Sequence, residues 1–370
     1  MDKLPGSHKA AFNIHYQGVN MMQKKIFKLA LIAGLAAPLA ALADTANFAF
    51  YGKINVDAES IKSDKVAAPA TTATSLVRLQ SNASRFGFKG SEDLGDGLQA
   101  VYQFEAQIDS VNDKAANTPF NGVRNSQIGL KGDFGTVFAG NWDTPFKSVH
   151  NKIELFDNAT VFSAINLVGR TGNGKNYNTR QNNVIQYWTP NIGGFTGQVS
   201  YALDSAKTAT VNKTRMSLSG AYENDMLYAG LGYESRADET TTTKSDSATR
   251  LLGAFKFPDG QVGVMLERMS VANALTTTAT QSNMELAASY KIGSNNLGVS
   301  FAKNGNYNGV TNTGAKQLSL RYGHNFSKRT ELYGAYTSLS NDTAANYGFF
   351  TGSAAGSKQS GLGLGMIHTF

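Results

Sequence analysis

The chain of 370 residues is 41% apolar and 16% charged, carries a formal charge of +7, and contains 38 Gly, 7 Pro and no Cys. An apolar share below the ~45–50% of ordinary globular chains excludes a bundle of membrane helices, and a 10% aromatic content with so little proline argues against disorder. The missing cysteines exclude disulfides, thiol catalysis, zinc ribbons and iron–sulfur clusters.

Residues 22–43 read MQKKIFKLALIAGLAAPLAALA. Lys24, Lys25 and Lys28 make a basic head, and the apolar run from Leu29 to Leu42 is interrupted by Pro38. Ala41 and Ala43 offer the small residues a signal peptidase reads. That run is too short to cross ~30 Å of hydrocarbon, so 22–43 is expected to be a cleaved secretory leader. Residues 1–21 carry no pattern and read as a mis-assigned start or extraneous residues, with translation expected to begin at Met21 or Met22. Cleavage after Ala43 removes five Lys and one Asp, which lowers the charge from +7 to +3 and leaves 44–370 as one unit. The case for a nucleic-acid partner loses its main support, and none is expected.

After the leader, apolar residues recur at every second position rather than at helical spacing. A first strand is expected near 47–59 and a strand–turn–strand at 84–105. Phe195, Gly197, Val199, Tyr201 and Leu203 alternate with Thr196, Gln198, Ser200 and Ala202. The rule repeats from Met216 to Tyr222, from Met284 to Ile292 and from Leu318 to Phe326. Leu362, Leu364, Met366 and Phe370 close the chain. Such segments are strands with one apolar face.

The connections are of two kinds that alternate. Tight turns of Gly, Asn, Asp and Pro are expected at 92–97, 132–135, 190–194, 223–225, 258–260, 293–296 and 327–329. Between them lie longer polar stretches near 60–75, 110–121, 143–178, 205–212, 237–247, 271–280, 306–314 and 341–358. Seven short turns and eight long loops join sixteen strands. The fold class that follows is all-β: a 16-stranded antiparallel transmembrane β-barrel, with short periplasmic turns and long extracellular loops. Closure satisfies every backbone donor and acceptor, which lipid cannot do. Phe48, Phe50, Tyr51, Trp188, Tyr233, Tyr322 and Phe326 fall near strand ends and are expected in interfacial girdles.

Parity sorts the charged residues. Arg85 and Lys89 alternate with Phe86 and Phe88, and Lys53 with Ile54 and Val56, so all three cations are expected to face the lumen. Glu105 shares that face with Gln99, Gln103 and Gln107. Arg124 has the parity of Ile128 and Leu130, which by alternation alone would turn it outward.

The segment SRFGFKGSEDLGDGLQAVYQFE at 84–105 closely resembles the second hairpin of Gram-negative general-diffusion porins of the neisserial, trimeric type. FAFYGKINVDAES at 48–60, IGLKGDFGTVFAGNWDTP at 128–145, NNVIQYWTPNIGGFTGQVSYA at 182–202 and the terminal GMIHTF carry the same resemblance. It implies a water-filled, homotrimeric pore narrowed by an inward-folded third loop, and the long segment 143–178 suits that loop. It further implies a constriction at which Lys53, Arg85, Lys89 and Arg124, with Arg170 or Arg180 at the end of the loop, face Glu105, Glu154 and Asp157. Asn158 would add an amide. The resemblance turns Arg124 inward, against alternation. It implies outer-membrane lipid and lipopolysaccharide as surroundings, small hydrophilic solutes and ions as cargo, and export through the Sec pathway. It also implies recognition by the barrel assembly machinery through the strand ending in Phe370. A weak anion preference is expected from the balance of charges.

No metal-ligand spacing or phosphate-binding motif accompanies the histidines His150, His324 and His368 or the Gly-x-Gly at 361–365, and no cofactor is expected. Two other readings stay open. An outer-membrane enzyme would use His324 or His368 beside a Ser or Thr nucleophile. A substrate-selective channel would use a run of lumenal aromatics, for which Tyr51, Tyr187 and Tyr307 are scattered.

Overall fold

A computed structural model describes residues 46–68, 73–111, 120–158, 160–242, 244–273 and 277–370. The expected leader at 22–43 and residues 1–21 lie outside the described residues. Ala49–Phe370 forms one compact unit, built almost wholly of antiparallel strands.

The first strands are β1 (Ala46–Ser63), β2 (Ser75–Ser81), β3 (Arg85–Gly95), β4 (Leu98–Ile108), β5 (Phe120–Val123) and β6 (Ser126–Gly132). They are followed by β7 (Gly135–Asp143), β8 (Arg180–Trp188), β9 (Phe195–Ala202), β10 (Arg215–Glu223), β11 (Leu227–Arg236) and β12 (Asp246–Phe257). The last are β13 (Gly260–Ala272), β14 (Thr278–Ile292), β15 (Asn295–Asn304), β16 (Ala315–Asn325), β17 (Thr330–Asn341) and β18 (Lys358–Thr369). β2 and β3 both pair with β1, and β5 and β6 both pair with β4. Each pair is therefore one crossing broken at its middle, and the eighteen segments make the sixteen crossings that the loop pattern predicts.

β18 returns to β1, in register from Lys53↔Thr369 to Ser63↔Gln359. The seam ends on reciprocal hydrogen bonds between Gly52 and Phe370, at 3.0 and 3.1 Å. A Cβ at position 52 would lie 2.3 Å from Phe370 Cζ, so the closing ring needs glycine beneath it. The turn between β3 and β4 takes left-handed φ at Gly95 (88°), Asp96 (52°) and Gly97 (77°), which Gly tolerates freely and Asp better than most residues.

Alternation survives closure. On β12 Asp246, Ala248, Arg250, Leu252 and Ala254 are buried within the barrel, whereas Leu251 and Phe255 are exposed on its outer surface. Exposed apolar side chains on one continuous face are what a lipid-facing wall requires. Two residues expected in the girdles turn inward instead. The Tyr51 hydroxyl donates to Glu105 Oε2 at 3.1 Å. Trp188, paired with Thr136 next to the inward Phe138, packs on Phe138 and Trp142 with ring centroids 5.0 and 5.6 Å away.

The apolar core lies inside the barrel. Residues 144–179, the third loop, begin with the short helix α1 (Pro145–His150), whose Thr144 cap accepts from the Lys147 N–H at 3.2 Å. Val149, Ile153, Leu167 and Val168 of this loop bury themselves against Leu252, Met265 and Leu339 of the wall. Each fully buried side chain of this kind contributes about 1.5–3 kcal/mol. Wall glycines make room for them: a Cβ at Gly263 would meet Ile153 Cγ2 at 2.4 Å, and one at Gly363 would meet Phe162 Cζ at 2.7 Å.

Candidate functional site: the charged wall and the third loop

Parity places Lys53, Arg85 and Glu105 on the inner face, and the structure brings them together. Glu105 Oε1 accepts from Arg124 Nε at 2.6 Å, and its Oε2 lies 3.6 Å from Arg85 Nε and accepts from Tyr51. Arg124 also donates to Gln107 Oε1 at 3.4 Å. Lys89 is set apart from this cluster, with its ammonium over the Tyr51 ring, 5.5 Å from the centroid.

Arg124 faces inward although Ile128, of the same parity, is 70% exposed on the outer surface. The reason is the break between β5 and β6. β4 pairs Gln103 with Gln127 but Ala106 with Val123, so an extra residue is accommodated at Arg124–Asn125 and the alternation restarts. Gln127, opposite Gln103, turns inward as well.

Arg180 extends the basic row. Its Nη2 lies 3.2 Å from Asp143 Oδ1 and its Nε donates to Asn125 Oδ1. Asp143 also accepts from Lys147 Nζ at 2.8 Å. Burial pushes the Lys147 ammonium below its ordinary pKa, and the Asp143 carboxylate pulls it partly back.

Across from this row, Asp157 of the third loop pairs with Lys53 and accepts from Asn55 Nδ2 at 3.5 Å. Asp157 holds φ at 62°, a left-handed conformation that costs a non-glycine residue about 1 kcal/mol or more and that its partners on β1 help to maintain. Glu154 corrects the expectation. Its carboxylate is not presented to a channel but is buried within the loop, accepting from Ser163 Oγ at 2.6 Å and from the Phe156 N–H at 2.8 Å. It lies 4.0 Å from His150 Nδ1, and burial holds its carboxyl above the usual carboxylate range. Asn158 donates to Asn151 within the same loop. Arg170 also stands apart from the cluster; its Nε donates to Ile165 O at 2.8 Å and it borders a separate cavity.

The local network thus holds Lys53, Arg85, Arg124, Lys147 and Arg180 against Glu105, Asp143 and Asp157, five cations to three carboxylates.

The sequence reading missed the groups on β13–β16 that hold the loop. Glu267 accepts from the Gly169 N–H at 2.7 Å, and Asn304 and Gln317 donate to Leu167 O and Val161 O at 3.0 and 3.1 Å. Glu285 Oε2 lies 2.8 Å from His150 Nε2. The same period-2 rule finds these residues, since Glu267 and Glu285 each sit between outward-facing neighbours. At the opposite end of the wall, His324 Nδ1 lies 2.8 Å from Asn295 Oδ1 and His368 Nδ1 lies 2.9 Å from Thr330 Oγ1.

The sequence model of Gram-negative porins matches residues 29–344. The chain is 28% identical to outer membrane porin protein 32 of Delftia acidovorans over 361 residues, 94% of this chain and all of that one. It is 29% identical to the major outer membrane protein P.IB of Neisseria lactamica over 236 residues, 62% of this chain and 64% of the relative. The solved anion-selective porin from Comamonas acidovorans superposes with a TM-score of 0.76 at 27% identity, over 88% of this chain and all of that one. With the closed sixteen-crossing barrel and its inward third loop, these matches establish that the chain belongs to the Gram-negative porin family of the outer membrane.

Proposed function

We propose that the barrel is a passive outer-membrane pore for small hydrophilic solutes and ions, and that it favours anions over cations. The observation that carries the selectivity is the excess of two positive charges in the row formed by Lys53, Arg85, Arg124, Lys147 and Arg180 with Glu105, Asp143 and Asp157. Cations on one wall facing a carboxylate-bearing loop set a transverse field, which orients dipolar solutes and disfavours apolar ones. In this reading Lys53, Arg85, Glu105, Arg124, Asp157 and Arg180 form the constriction, Lys89 lies outside it, and Glu154 acts beneath the loop. The similarity to the anion-selective porin from Comamonas acidovorans supports the sign. Reversal potential across a bilayer in a KCl gradient tests it: the anion permeability exceeds the cation permeability, and a clear cation preference would overturn the reading.

A homotrimer set in lipid and lipopolysaccharide completes the proposal. Outward-facing Phe50, Phe86, Phe88 and Phe104 meet in stacked and edge-to-face contacts across β1, β3 and β4 with centroids 5.7–6.4 Å apart, a patch suited to contact with a second copy. Closure of the bilayer current in three equal steps is the expected signature; single steps would remove the trimer. The strand ending in Phe370 is the segment offered to the barrel assembly machinery. The enzyme alternative draws on the Thr330–His368 contact; a micellar lipase and protease assay tests it, with no turnover expected.

A further inference from the structure

Arg170, on the third loop, differs from the arginines of the inner wall. Arg85, Arg124, Arg180, Arg236 and Arg250 each lie against a carboxylate. Among the described residues no carboxylate comes within salt-bridge distance of Arg170, whose one side-chain hydrogen bond runs from Nε to Ile165 O. Arg170 borders a cavity of about 270 Å³ between the third loop and the loops that follow β15 and β17. Tyr307, Thr313, Asn346 and Tyr347 line the cavity with Arg170 and Thr171, and no acidic residue does.

The lining is braced from behind. The Tyr347 hydroxyl accepts from Gln281 Nε2 at 2.7 Å, and Gln281 Oε1 accepts from the Gly172 N–H at 2.8 Å. Tyr307 packs over Gly172, where an added Cβ would stand 2.8 Å from Tyr307 Cβ and 3.4 Å from the Tyr347 hydroxyl. Two aromatic rings and a cation without a carboxylate thus meet on one strip of loop backbone. The Tyr307 hydroxyl has no hydrogen-bond partner among the described residues.

We infer that this cavity is a solute subsite for small aromatic carboxylates, distinct from the charged row and placed at the long-loop end of the barrel. The guanidinium receives the carboxylate in a bidentate pair. Tyr307 takes the ring by stacking or edge contact with the largely buried Tyr347 beneath it, and the Tyr307 hydroxyl and the Asn346 amide supply hydrogen bonds. A volume of about 270 Å³ falls just below the usual range of ligand cavities and admits one substituted ring rather than a disaccharide or a peptide. The inference deepens the pore reading by naming a solute class that the vestibule concentrates.

Equilibrium binding of benzoate to the purified full-length protein in detergent tests the subsite without relying on conduction, so its failure and that of the pore reading are separable. Calorimetry or saturation-transfer NMR is expected to show benzoate binding that weakens at least tenfold in Arg170→Gln and in Tyr307→Ala. Acetate is expected to bind the wild type at least tenfold more weakly than benzoate. Equal binding of acetate and benzoate would remove the aromatic recognition. Benzoate affinity within twofold of wild type in both variants would overturn the site.

Discussion

Arg250 and Glu267 form an ion pair with no solvent exposure on the inner wall, with Arg250 Nη2 2.6 Å from Glu267 Oε2. The same guanidinium donates to Phe146 O at 3.1 Å and to Asn178 Oδ1 at 3.0 Å, so one side chain ties both ends of the third loop to β12. Its Cζ lies 4.0 Å from the Phe146 ring centroid. Removing one partner of such a pair leaves a buried charge without compensation, which costs about 3–5 kcal/mol. Arg250→Ala is therefore expected to free both roots of the loop: the barrel still forms, while open-channel current noise rises and the voltage needed for closure falls. A variant with wild-type noise and closing voltage would show that the loop is held elsewhere.

The charge balance at the wall makes a second prediction. A unit charge about 4 Å from a permeating ion is worth about 1 kcal/mol in a water-like medium, which is roughly a fivefold change in a permeability ratio. Arg85→Gln combined with Arg124→Gln is expected to erase the anion preference measured by reversal potential. Glu105→Gln is expected to raise it. Lys89→Gln, at a side chain stationed over Tyr51 rather than in the Glu105 cluster, is expected to change it least.

A third prediction concerns pH. Glu154 faces His150 of its own loop, and His150 in turn faces Glu285 of β14, which also accepts from Ser300 Oγ at 2.9 Å. Burial raises the Glu154 carboxyl, so the docked loop favours its protonated form. That contribution is fully present below the ordinary value of 4.5 and is lost as pH rises through the raised one. The loop is accordingly held more tightly at pH 5 than at pH 8, and the closing voltage falls across that interval. Glu154→Gln is expected to flatten the slope; an unchanged slope would assign the dependence to another group.

Gly363 gives the fourth. Phe162 occupies the space that a side chain at 363 would fill. Overpacking of this kind costs about 1–3 kcal/mol, and on a rigid wall the loop is the part that yields. Gly363→Val is expected to displace Phe162 and alter single-channel conductance with little change in the heat-resistance of the barrel on gels. Gly253→Val, with open space around its position on the same kind of strand, is the control expected to conduct as wild type.

The leader proposed for residues 22–43 is tested most directly. N-terminal sequencing of protein recovered from outer membranes is expected to begin at Asp44. A chain retaining Lys24 would show that 22–43 is not removed.

Local spacing by itself determined the strand class, the sixteen crossings, the separation of short turns from long loops, and the inward facing of Lys53, Arg85 and Glu105. It could do so because successive residues of a strand point to opposite faces, a rule that needs no knowledge of neighbours. Only the tertiary structure decided the remainder. Arg124 turned inward through a break in register with β4, which no spacing within its own strand records. Trp188 left the expected girdle because it packs on Phe138 and Trp142, which lie on another strand. Glu154 is buried because the third loop folds back on itself and on the far wall, and Arg180, not Arg170, joins the basic row because β8 sets it against Asp143 and Asn125. Arg250 meets Phe146 across a sequence separation of 104, and Asn304 meets Leu167 across 137. Such contacts exist only once the barrel has closed, since closure brings β12–β17 opposite the loop and shuts water out between them.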